Sequence, residues 1–178
     1  DTRRLNHIYN NDFRKYKMAM IILATIRGIA QLYYGSEIGM SGDQNLGDAD
    51  IRKDFPGGWE FDENNAFNPE TRSDCQKVYF DFTSKLFHWR KTNAAIHFGK
   101  TTHYIPQNNV YVYFRHNTNQ AVMVLINNNP EIQEIYTERF NENIGNYKIG
   151  NGVLSDLTFD LSQTILIEGK SALILELE

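Results

Sequence analysis

From Ala94 onward, short apolar runs alternate with turn material, and this pattern restricts the fold more than any other feature of the chain. The runs are Thr101–Ile105, Val110–Phe114, Ala121–Ile126, Gln133–Tyr136, Thr164–Ile167 and Ala172–Leu177. Between them lie Pro106–Asn109, His116–Asn119, Asn127–Pro130, Gly150–Gly152 and Glu168–Lys170, rich in Gly, Pro and Asn. Short strands punctuated this regularly predict an antiparallel β-sandwich.

The first half reads differently. Helical spacing of Tyr16, Met20, Leu23 and Ala24 predicts a helix over Asp12–Arg27, with Asn11 or Asp12 as its cap and Gly28 as its end. The nearly continuous apolar run Ile29–Tyr34 predicts a strand buried on both faces. A long connection, Gly35–Asn68, comes next, and loops of that length are usually functional or disordered. Pro69 suits the first turn of a second helix reaching Thr92, with Cys75, Val78, Tyr79, Phe82, Leu86 and Trp89 on one face. A helix–strand–loop–helix unit cannot bury a two-sided strand alone, so it reads as the end of an α/β barrel or of a doubly wound sheet. In a barrel, the loop after the strand would lie on the catalytic side.

Charge and residue counts exclude several classes. Residues 1–93 carry 13 basic and 13 acidic side chains, and residues 94–178 carry 5 and 9. An acidic second half without a basic cluster argues against nucleic acid. No stretch has the length of a membrane span, and Met18–Ile26 is too short. The single Cys75 excludes an intrachain disulfide, and its helix face predicts a buried thiol. His7, His88, His97, His103 and His116 have no metal spacing. Asp43, Asp48 and Asp50 do not match an EF-hand, and no phosphate loop or other cofactor motif is present, so no metal or cofactor is expected. The chain starts at Asp1 without a Met or a signal pattern, which reads as a segment of a longer protein and leaves its compartment, periplasm or cytoplasm, open.

The segments LYYGSEIGM and GDADIRKDFPGGW resemble the eighth barrel strand and adjoining loop of glycoside hydrolase family 13, the α-amylase family, and in particular its neopullulanase, cyclomaltodextrinase and maltogenic amylase group. DTRRL is similar to the residues after Asn-His in the family's fourth conserved region, and FHWRKTNAAIHFGK through SALILELE resembles its C-terminal domain. Ala30 stands where the family usually has Pro, and Ser36 where it often has Asp or Thr. The resemblance implies α/β plus all-β architecture: the last elements of a (β/α)8 barrel in residues 1–93, then a β-sandwich in residues 94–178. It implies a parent enzyme that cleaves α-1,4-glucosidic bonds in starch-derived oligosaccharides, cyclodextrins or pullulan with retention. Such chemistry needs a nucleophilic carboxylate and an acid/base carboxyl roughly 5–5.5 Å apart. In the family these stand on strands four and five, which are not in this sequence, so the 178 residues alone are expected to be inactive.

The same resemblance assigns Asp1 as a third catalytic carboxylate and Arg4 as a partner for carboxylate or sugar oxygens. Asp48 and Arg52 are expected to grip sugar hydroxyls, one accepting and the other donating hydrogen bonds. Their plainer reading is a surface ion pair of little energetic consequence. Asp50 is the second-ranked carboxylate. Tyr34, Phe55 and Trp59 offer flat surfaces for sugar rings, with Trp59 entering after the Gly57–Gly58 turn. Glu37 reads as an anchor for loop backbone. The competing class is a non-catalytic carbohydrate-binding or structural sandwich, with Tyr111 and Tyr113 as its aromatics. Uncovered strand edges and helix faces would also favour a homodimer.

Overall fold

The computed structural model describes residues 2–178, and Asp1, with the catalytic role assigned to it, lies outside them. The chain forms two compact units: residues up to Tyr16 with Gln31–Lys85, and Lys17–Ala30 with Leu86–Glu178.

The first unit contains α1 (Leu5–Ile8), the opening turn of α2 (Phe13–Thr25), α3 (Asp48–Ile51) and the first half of α4 (Asp74–Thr92). Asp12 caps α2, its Oδ1 accepting from Arg14 N at 2.9 Å and Lys15 N at 3.4 Å. Phe13, Tyr16, Tyr79 and Phe82 form a tilted aromatic cluster, with Tyr16 and Tyr79 ring centroids 4.7 Å apart. The long connection carries three short helical turns, at Ser36–Ile38, Gln44–Leu46 and α3. Its anchors are buried polar groups. Tyr16 Oη donates to Ser36 O at 2.9 Å, and Asn6 Nδ2 donates to Gly39 O at 2.6 Å. Tyr79 Oη donates to Asn6 Oδ1 at 2.7 Å, which holds that amide in place.

Four expectations are corrected here. Ile29–Tyr34 forms no strand, and Ile29 is 98 % exposed. A strand needs a partner for its backbone N–H and C=O groups, and among the described residues none pairs with this run. Cys75 is exposed: it lies in the first turn of α4, one turn before the buried Tyr79 on the same side. Val78, also expected on the packed face, is half exposed. Glu37 is not the loop's anchor: its Oε2 is buried with no hydrogen-bond partner among the described residues.

The second unit holds α5 (Ala94–Phe98), capped by Asn93 Oδ1 accepting from Ile96 N, and then the β-structure. The strands are β1 (Lys100–His103), β2 (Val110–His116), β3 (Ala121–Asn127) and β4 (Gln133–Ile135), then, after the short α6 (Asn141–Ile144), β5 (Ile149–Gly152), β6 (Thr158–Asp160), β7 (Ile165–Ile167) and β8 (Ser171–Leu177). Six of them form one antiparallel sheet in the order β1-β2-β3-β8-β5-β6, and β4 pairs with β7 in a second. Phe114 lies opposite Met123, and Met123 opposite Leu175. With Val112, Leu125, Phe140, Leu161, Ile165 and Ile167 they make the core between the large sheet and the elements that cover it.

Every residue of β3 is buried, so its alternation does not end at a solvent face. Within the second unit the other face of the sheet meets helix residues. Tyr113 is bonded to Thr25 through their hydroxyls, and Trp89 Nε1 and Asn93 Nδ2 both donate to Glu176 Oε1, at 2.8 and 2.9 Å. Arg115 is 2 % exposed and donates to Ile96 O at 2.6 Å. Burial pushes the Tyr113 phenol from 10.0 up to about 12. The folded-state value lies above the unfolded one, so this stabilisation is complete below pH 10 and disappears as pH rises toward 12. A shift of this size corresponds to roughly 2–3 kcal/mol. Tyr113→Phe is therefore expected to flatten the alkaline unfolding curve, read by circular dichroism between those limits. An unchanged slope would remove Tyr113 from the account.

Candidate functional site

Asp48, Arg52 and Trp59 lie on the segment after Tyr34. Gly47, at φ +92°, turns the backbone directly into α3, whose single turn places Asp48 and Arg52 on one side. Arg52 Nη2 lies 3.2 Å from Asp48 Oδ2, and both side chains are more than half exposed. A carboxylate and a guanidinium held together and open to solvent can bond vicinal hydroxyls. Asp50, the second-ranked carboxylate, is already engaged. Its Oδ2 accepts from Asp43 N at 2.6 Å and its Oδ1 lies 2.7 Å from Lys53 Nζ. The Lys53 ammonium and the Asp43 N–H hold the Asp50 carboxyl below its usual range. Asp43 is likewise lowered, first by the Asn45 N–H and further by Arg3 and His7. These two carboxylates therefore build the loop.

The aromatic candidates divide. Trp59 is 67 % exposed, and its Nε1 donates to Asp54 Oδ2 at 2.9 Å, which fixes the ring's edge while leaving a face to solvent. Asp62 Oδ2 accepts from Gly57 N and Trp59 N and shapes the turn beneath it. Tyr34 Oη donates to Lys53 O at 2.8 Å, so its hydroxyl ties the loop to itself. Tyr34, Glu37, Phe55, Phe67 and Phe80 line an apolar hollow of about 340 Å³.

Arg4 sits in the interior, 4 % exposed. Its guanidinium lies over the Tyr33 and Tyr34 rings, 4.9 and 4.7 Å from their centroids, and Nη1 donates to Tyr34 O at 2.7 Å. Nε and Nη2 have no hydrogen-bond partner among the described residues. The cations and carboxylates that set the loop's shape, Lys53, Asp54 and Asp62, do not stand out in the sequence. The spacing of Asp54 five residues before a Trp was the available signal. Tyr111 and Tyr113, the aromatics named for the competing reading, offer no ready binding face: Tyr113 is fully buried and Tyr111 half buried, their rings 5.2 Å apart. Among the described residues no cluster of His, Cys, Asp and Glu is placed to hold a metal ion. No helix among them is long and apolar enough to cross a membrane.

The helix-backed antiparallel β domain and the loop before it have the fold of the matching part of solved α-amylases. Residues 101–176 match the family described as the cyclo-malto-dextrinase C-terminal domain. The chain is 27 % identical over 136 residues to a cyclomaltodextrinase of Thermoanaerobacter pseudethanolicus, covering 76 % of this chain and 21 % of that protein. It is 33 % identical over 123 residues to a cyclomaltodextrin glucanotransferase of a Bacillus species, covering 69 % of this chain and 15 % of that one. The solved α-amylase of Geobacillus thermoleovorans, complexed with acarbose, superposes with a TM-score of 0.76 at 24 % identity, over 100 % of this chain and 37 % of that structure. This chain is a cyclomaltodextrinase-like C-terminal portion of glycoside hydrolase family 13. It spans about a fifth or less of the length of these two relatives.

Proposed function

We propose that residues 1–93 are the final (β/α)8-barrel elements, and residues 94–178 the sandwich, of an enzyme that hydrolyses α-1,4-glucosidic bonds in cyclodextrins, pullulan or maltooligosaccharides with retention. Asp48 and Arg52 grip a glucose unit and Trp59 stacks on it, while Arg4 and Tyr34 support the wall they stand on. Asp1 acts as the third carboxylate, favouring the distorted sugar. The nucleophile and the acid/base are not among these 178 residues, which therefore bind glucan without cleaving it. The observation that carries this reading is the exposed Asp48–Arg52 pair, 3.2 Å apart, in a chain related to enzymes named for cyclomaltodextrins.

The test is calorimetric titration of the chain with β-cyclodextrin. Asp48→Ala and Arg52→Ala are each expected to weaken binding about tenfold, the scale of one or two lost polar contacts. Binding indifferent to both substitutions would sink the role of the pair, and reducing sugar released from maltotriose would sink the claim of inactivity. The same reading includes self-association through exposed apolar groups such as Ile29, Phe61 and Phe67. Light scattering that gives a monomer at high concentration would remove that part.

A further inference from the structure

We propose that the sandwich carries its own saccharide site, centred on Tyr136 and separate from the Asp48–Arg52 loop. The site is a groove of about 140 Å³ beside β4. Val112, Ile135 and Phe140, all buried, make its floor, and polar side chains make its rim. This is the division that a pyranose requires: an apolar face meets C–H groups, and the rim meets hydroxyls.

Tyr136 is 61 % exposed and stands on that rim. Its Oη donates to Glu134 Oε2 at 2.8 Å, so the ring is fixed before anything binds. The two residues alternate correctly for this, i and i+2 on one side of a strand end. Arg139, on the same rim, is held by Nη2 donating to Ile105 O at 2.7 Å, which leaves its other N–H groups for a ligand. Gln107 and Gln133 add side-chain amides. The carboxylate of Glu134 and the guanidinium of Arg139 balance, so the groove selects neither an anion nor a cation. A fixed, exposed aromatic ring with amides and a charge-neutral rim suits a neutral polyol. The choice of an α-glucan as that polyol rests on the function proposed above. Linear maltotriose, one glucose unit of which would occupy the groove, serves as the probe.

The chain itself, labelled with nitrogen-15, can be titrated with maltotriose, with cellotriose as the β-linked control. Maltotriose is expected to shift the side-chain amide signals of Gln107 and Gln133. Tyr136→Ala is expected to weaken this response about tenfold, and Tyr136→Phe, which keeps the ring and loses its tether, only about threefold. Because Tyr136 is exposed, both variants should melt as the parent does, and melting curves check that. Signals that do not move with maltotriose, or that respond equally in Tyr136→Ala, overturn the site. An equal response to cellotriose overturns the α-glucan assignment. Asp48→Ala separates the two readings. If it abolishes cyclodextrin binding and leaves the Gln133 response intact, both stand. If cyclodextrin binding depends on Asp48 but the Gln133 response is absent, only the sandwich site fails.

Discussion

Asn127→Asp is expected to lower the melting temperature by about 10 °C or more. Asn127 closes β3 and is 0 % exposed. Its Nδ2 donates to Glu131 O at 2.9 Å, Ile167 O at 3.2 Å and Glu168 O at 3.0 Å. Its Oδ1 accepts from Asn129 N and Asn129 Nδ2, both at 2.9 Å. One amide thus joins the end of β3 in the large sheet to β7 and to the turn before β4 in the small one. Aspartate has the same shape but places an oxygen against three carbonyl oxygens. Each buried carbonyl left without its donor costs about 1–3 kcal/mol, and an unpaired buried carboxylate costs several more. Domains of this size have roughly 5–15 kcal/mol in total. Burial raises the carboxyl's folded-state pKa, so the damage is greatest at neutral pH and is partly relieved as pH falls and the group protonates. A variant melting within about 3 °C of the parent at pH 7 would show that the two sheets do not depend on this amide.

Phe114→Ala is expected to destabilise the second unit by about 3–5 kcal/mol. Phe114 is fully buried on the inner face of β2, opposite Met123 and with its ring 5.9 Å from Tyr104 and 6.0 Å from Phe140. Removing the ring strips contacts from both the sheet and the segment that covers it, and strands pinned on two sides cannot collapse into the space. Phe61→Ala, at a residue 90 % exposed, is the control and should change stability by less than about 0.5 kcal/mol. Urea unfolding followed by circular dichroism reads both. Similar midpoints for the two variants would contradict the assignment of the core.

The residues that could be read in advance are those whose environment is local. β2, β3 and β8 come from short apolar runs set between turns, and the helix start from a cap at Asn11 or Asp12, of which the structure uses Asp12. The Asp48–Arg52 pair comes from a four-residue spacing. The features that could not be read depend on partners distant in sequence. Gly150–Gly152 reads as a turn but is strand β5. A side chain at Gly150 would meet Leu175 Cδ1 at 3.1 Å and Leu161 Cδ2 at 3.3 Å, so this glycine serves close packing against β8. Arg4, expected to partner carboxylate or sugar oxygens, is buried, because the loop that covers it returns from thirty residues away to place Tyr34 O on its guanidinium.

The sequence by itself determined the two long helices, the antiparallel β character of the second half and the polar pair on the loop, because periodicity and spacing act over a few residues. The tertiary structure alone decided that Ile29–Tyr34 stays out of any sheet, that β4 leaves the large sheet to pair with β7, and that Tyr113 turns inward while Tyr136 faces solvent. Strand pairing and burial are settled by which backbone groups and apolar faces come together in space, and an isolated apolar run carries no record of its partner.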